Sequence, residues 1–251
     1  MAHPEPDIAA LFAPLRPAQA SDVVLSEARQ VLAGVREPID AELWGSDMIG
    51  AVSGHASVST GDEAAVMAEL ATSLVPAAEQ EASPEALALL RVLGAIGSSV
   101  LRDAAAEAAE RVIAAGVPDP EWAASIGSPV VGRCWHYSDV GGRQESVTVS
   151  FSYGTAEHAL SVLIDHGQGG KIKDAWVDDA KGLLDKTWLA ADHDPLVIFE
   201  PIEAGDARDR LTRAVAAGEC PTKPDEADDL TGHRALLRAR VRYLATMWPT
   251  L

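Results

Sequence analysis

Between Glu145 and Val177 the apolar and polar positions follow a pattern that leaves little structural freedom. From Glu145 to Tyr153 they alternate strictly, with Val147, Val149, Phe151 and Tyr153 on one side and Ser146, Thr148, Ser150 and Ser152 on the other. That period of two predicts a strand with one buried face. Gly154 interrupts the run, and Ala159 to Ile164 is apolar on both sides except for Ser161, the pattern of a mid-sheet strand covered on both faces. The turn His166-Gly167-Gln168-Gly169-Gly170 supplies residues that tolerate positive φ, and Lys171 to Val177 runs back as a third strand. Three adjacent antiparallel strands follow. Val130 to Tyr137 and Leu196 to Phe199, the latter bounded by Pro195 and Pro201, predict two more.

Outside this stretch the period changes to that of helices. Ser21 and Asp22 offer an N-cap to a segment with Val24, Ala28, Val31 and Leu32 that ends at Gly34. Asp40 opens a segment from Ala41 to Ile49, and a loop is expected around His55. Asp62 caps a third segment, and Ser83 followed by Pro84 is a strong start, because proline at the first helical position loses no intrahelical hydrogen bond. That segment runs to Ala115 with a break near Gly94 to Gly97, and Asp119-Pro120 predicts a short helix through Trp122. Asp178 or Asp179 caps a helix with Leu183, Leu184 and Trp188, Ala207 to Ala217 is helical, and Asp228 to Trp248 closes the chain. In that last helix Leu230, Leu237, Val241, Leu244 and Trp248 mark the buried face.

The resulting fold class is α+β: a helical N-terminal half packed on a mainly antiparallel sheet of four to five strands, with C-terminal helices. The composition change near Val130 divides residues 1–128, helical, from 129–251, α+β, as two domains or one continuous one. At 251 residues such a chain buries roughly 70% of its unfolded surface and needs neither metal nor disulfide for stability.

Charge narrows the functional classes. With 38 acidic and 20 basic residues the net charge is −18, which opposes non-specific attraction to nucleic acid or anionic membranes and favours a basic protein partner or self-association. Cys134 and Cys220 form no metal-ligand or redox spacing, no apolar run reaches membrane-spanning length, and Met1 to Asp7 lacks the pattern of a secretory signal, so a cytoplasmic location is expected. Nucleotide-binding, nucleophile-elbow, zinc-protease and calcium-loop signatures are absent, and no cofactor is specified.

The candidate chemistry gathers at the glycine-rich hairpin. Asp165, His166 and Asp174 offer a general base with an orienting carboxylate, helped by Asp192 or His193, and Asp165, His166 and His193 offer oxygen and imidazole ligands to a divalent cation. The competing reading is architectural: a hairpin symmetric about Gln168 sets Asp165 opposite Lys171, and such a pair needs no catalytic purpose. Arg234, Arg238 and Arg242 form a stripe at four-residue spacing able to bind phosphate or an acidic peptide, or to pair with the protein's own acids. Trp135, Trp176 and Trp188 either share a core or line a pocket. The sequence therefore favours a cytosolic, non-enzymatic binding or regulatory protein. The alternatives are a metal-assisted or acid/base hydrolase using the Asp/His cluster and phosphate or nucleic-acid contact through the arginine helix.

Overall fold

A computed structural model describes residues 17–59, 63–220 and 229–249. The chain is α+β and divides into two compact units, Met1–Gly127 and Ser128–Leu251. The first contains α1 (Pro17–Val31), a 3-10 turn (Leu32–Gly34), α2 (Pro38–Ser59), α3 (Glu63–Glu81), α4 (Pro84–Ile96) and α5 (Ser99–Ala114). Helix α4 starts as its sequence predicts, with Ser83 Oγ accepting from the Ala86 amide at 3.1 Å and Pro84 in the first turn. It ends at Gly97, where a Cβ would meet the Leu93 carbonyl oxygen at 2.5 Å.

Two local expectations fail in this unit. Helix α2 runs through Gly45, Gly50 and Gly54 to Ser59, so the backbone at His55 is helical where a loop was expected. Gly45 is retained for close packing, since any side chain there would overlap Val92 Cγ1 on α4; that contact outweighs the glycine's cost of about 1 kcal/mol in a helix interior. The stretch after Pro120 forms successive turns, with Trp122 O accepting from Ser125 and Ile126, in place of a short helix. The proposed cap Asp62 lies outside the described residues.

The second unit carries β1 (Val130–Asp139), β2 (Gln144–Tyr153), β3 (Ala156–Asp165), a 3-10 turn (His166–Gln168), β4 (Lys171–Asp179), α6 (Ala180–His193), β5 (Val197–Ile202), α7 (Ala204–Ala217) and α8 (Asp229–Met247). The five strands form one antiparallel sheet in the order β4-β3-β2-β1-β5. Val147, Val149 and Phe151 of β2 join Leu160, Val162 and Ile164 of β3 in a core that α7 and α8 cover with Leu211, Leu237, Val241 and Leu244. The opposite phase of β2, with Ser146, Thr148 and Ser150, is polar yet also buried, and there Thr148 Oγ1 and Ser161 Oγ of β3 share a hydrogen bond of 2.9 Å. Helix α6 links the β4 edge to the β5 edge across this second face, with Ala180 and Leu183 packed on Ala159 and Trp176.

Candidate functional site

The face of the sheet under α7 carries a buried acid in phase with its apolar residues. Glu145 shares the phase of Val147, Val149 and Phe151, so the alternation that buries those side chains also buries its carboxylate, whose side chain is 7% exposed. An enclosed carboxylate requires donors, and three elements supply them. His136 of β1 places Nε2 2.9 Å from Glu145 Oε2, and His166 of the 3-10 turn places Nε2 3.1 Å from Oε1. Arg210 of α7 donates through Nη1 to Oε2. Glu200 of β5 adds a second carboxylate 3.7 Å from His136 Nδ1. The result is one carboxylate bridging two imidazoles and tying the sheet to α7.

Chemically this arrangement orients His166, whose side chain is 45% exposed while its partner is buried. An exposed imidazole held by an enclosed carboxylate has the geometry of a base and its orienting group. Replacing Glu145 with glutamine keeps the shape but removes the charge that three donors share, and is expected to cost about 1–3 kcal/mol in urea unfolding. An unchanged midpoint would mean that the network contributes nothing to stability.

The sequence-derived candidates occupy different places. Asp165 does lie opposite Lys171 in the β3–β4 register, but its carboxylate accepts from the Gln168 amide at 3.2 Å and from Gln144 Nε2 at 3.3 Å. Ile164 pairs with Glu145 and belongs to the core, so Asp165, one residue later, points to the other face while His166 turns back to Glu145. Asp174 stands opposite Leu163 and accepts from the Ala175 amide at 2.8 Å. Asp179 caps α6 through the Gly182 amide, 2.7 Å away, and Asp194 accepts from the Leu196 amide at 2.9 Å. His193 ends α6, and its side chain lies outside the described residues. Among the described residues no three His, Cys, Asp or Glu side chains gather as a metal site.

On α8, Arg234 grips Glu219 with Nε at 2.8 Å and Nη2 at 2.6 Å, and Arg238 approaches the same carboxylate at 3.5 Å, with Arg242 one turn further on. A phosphate bound at Arg234 would have to displace this bidentate partner. Arg240, off the stripe of Arg234, Arg238 and Arg242, is buried in the core, 1% exposed. Its guanidinium lies over Phe151 and Tyr153 at 5.2 and 5.7 Å and reaches His158 Nε2 at 3.3 Å. His158 stacks on the same two rings, and burial, with Arg240 second, pushes its pKa down to about 3, so it is a neutral core side chain. Burial likewise pushes the Cys134 thiol up to about 11, which keeps it protonated.

Trp135 and Trp176 lie on one cross-strand row with Thr148 and Ser161 between them, whereas Trp188 is 58% exposed on α6, so the three indoles share no core. A cleft of about 240 Å³ lies in the first unit, lined by residues including Leu32, Arg36, Pro84, Pro118 and Trp122, and contains none of the hairpin residues. Comparison with protein-family models, curated proteins and solved structures gave no match.

Proposed function

We propose that this chain is a cytosolic, non-enzymatic binding or regulatory protein whose excess of acid attracts a basic protein partner. The observation that carries this reading is where the cations go. Arg29 pairs with Glu81, Arg91 with Asp119, Arg111 with Glu79, Arg210 with Glu145, Arg234 with Glu219, Lys181 with Asp185 and Lys186 with Asp178. These seven cations are held by the chain's own acids, and over the whole sequence 38 acidic against 20 basic residues leave a net charge of −18. Such a field raises the encounter rate with a basic surface and is screened by salt. No described helix is long and apolar enough to cross a membrane.

The test combines light scattering on the purified chain with affinity capture from native lysate, followed by reconstitution with the purified captured protein. The expected result is a basic protein retained at low salt and released as the ionic strength approaches about 0.5 M. A strict monomer that retains nothing at low salt overturns the reading.

A second reading rests on His166. Its exposed ring and the Nε2 contact with buried Glu145 support an acid/base hydrolase in which His166 moves the proton and Glu145 orients it. Hydrolysis of activated esters above the buffer rate, lost in His166→Gln at unchanged stability, would support it. Equal rates for wild type and His166→Gln would remove it.

A further inference from the structure

Resting on the acidic-surface reading, the question becomes which part of the surface receives the partner. Strand addition at the sheet edges is disfavoured. Leu196 O accepts from the Val140 amide just past the end of β1, so by two-residue alternation Val197, Phe199 and Pro201 point their backbone groups outward. The Val197 amide already donates to Asp194 O at 3.1 Å and Pro201 has none, leaving only Phe199 with an outward N–H to offer. At the opposite edge, Ile172 exchanges backbone hydrogen bonds with Gly218 and Cys220.

Helix α6 differs. Its inner positions Ala180 and Leu183 are buried on the sheet, while consecutive Trp188 and Leu189 remain 58% and 55% exposed. Asp185 lies three residues before Trp188 and Asp192 four residues after it, so acid frames the indole on one helical stripe. The two lysines of the helix are engaged, Lys181 with Asp185 and Lys186 with Asp178, so the surplus around the exposed indole is negative, with Asp192 and Asp194 both exposed.

We propose that the outer face of α6 is the docking surface for a basic amphipathic helix of another protein, whose apolar side covers Trp188 and Leu189 and whose lysines or arginines meet Asp192 and Asp194. An exposed tryptophan offers a large apolar anchor at low conformational cost, and the acids select the sign of the partner. The same acids oppose a second copy of this chain, because two α6 faces would bring like charges together.

The test is anisotropy titration of a fluorescein-labelled leucine/lysine amphipathic helix with the full chain at low salt, alongside light scattering. The Trp188→Ser/Leu189→Ser double variant, whose replaced side chains are exposed and whose melting temperature is to be checked, is expected to bind at least about tenfold more weakly. An Asp103→Asn/Glu107→Gln variant, which removes two exposed acids from α5, is expected to stay within about twofold of wild type. If the serine variant binds as tightly as wild type, the α6 surface is refuted while the acidic-surface reading survives. If the leucine/lysine helix does not bind wild type, both fall. A dimer abolished by Trp188→Ser would identify a second copy as the occupant and overturn the proposal.

Discussion

Arg240→Ala is expected to destabilise the chain by about 3–5 kcal/mol, a large fraction of the stability of an ordinary domain. The guanidinium is fully enclosed and lies over the rings of Phe151 and Tyr153 within hydrogen-bond reach of His158. Truncation leaves a void of most of a long side chain and removes a desolvated cation–π contact worth about 2 kcal/mol. Arg240→Met, which refills much of the volume without the charge, should recover part of the loss. Urea denaturation followed by circular dichroism measures both, and a loss below about 1 kcal/mol for alanine would show the cation to be dispensable.

Acidification should act on the same locus through His158. Its pKa falls to about 3 in the folded protein, from burial first and Arg240 second, against about 6.5 when the chain is unfolded. Between these values the unfolded state holds a proton that the folded state does not, so the stability present above pH 6.5 is lost as the pH falls. The slope approaches about 1.4 kcal/mol per pH unit and levels off near the folded value. Below about pH 5 carboxylates held low in the folded state, such as Asp139 with its turn amides and Asp178 with the Asp179 amide and Lys186, add their own losses. Between pH 6.5 and 5 these carboxylates contribute little, and comparison with a variant that lacks His158 assigns its share of the slope. His158→Gln, which cannot titrate, should flatten the stability profile in that window, and an unchanged slope would mean that His158 is protonated in the fold.

Both effects arise at residues whose importance was only partly visible in the chain. Arg240 sits three residues after Leu237 and four before Leu244, in phase with the buried stripe, yet its neighbours Arg234, Arg238 and Arg242 make the segment read as a basic surface. Glu145 likewise stands in phase with Val147 and Val149, which marks it as an acid on a core-facing position. Its partners could not be read from spacing, because His136, His166 and Arg210 come from a strand, a turn and a helix that meet only when β1, β2 and β3 pair and α7 docks. The hairpin acids followed the opposite course: Asp165 looked like the partner of His166 by adjacency, but successive residues on a strand point to opposite faces.

The sequence by itself determined most of the elements and the pairing of β2 with β3 and of β3 with β4. The strict alternation of β2, the two-sided apolar run of β3, the glycine turn, the Ser83-Pro84 start and the stripe of α8 are local patterns whose periods match one backbone geometry each. Tertiary structure alone decided which polar groups became partners: Glu145 with two imidazoles and a guanidinium, Arg240 with His158, Arg234 with Glu219. Those pairings are set by the energetic demand that every enclosed charge find a donor or acceptor, a condition that exists only once packing has excluded water.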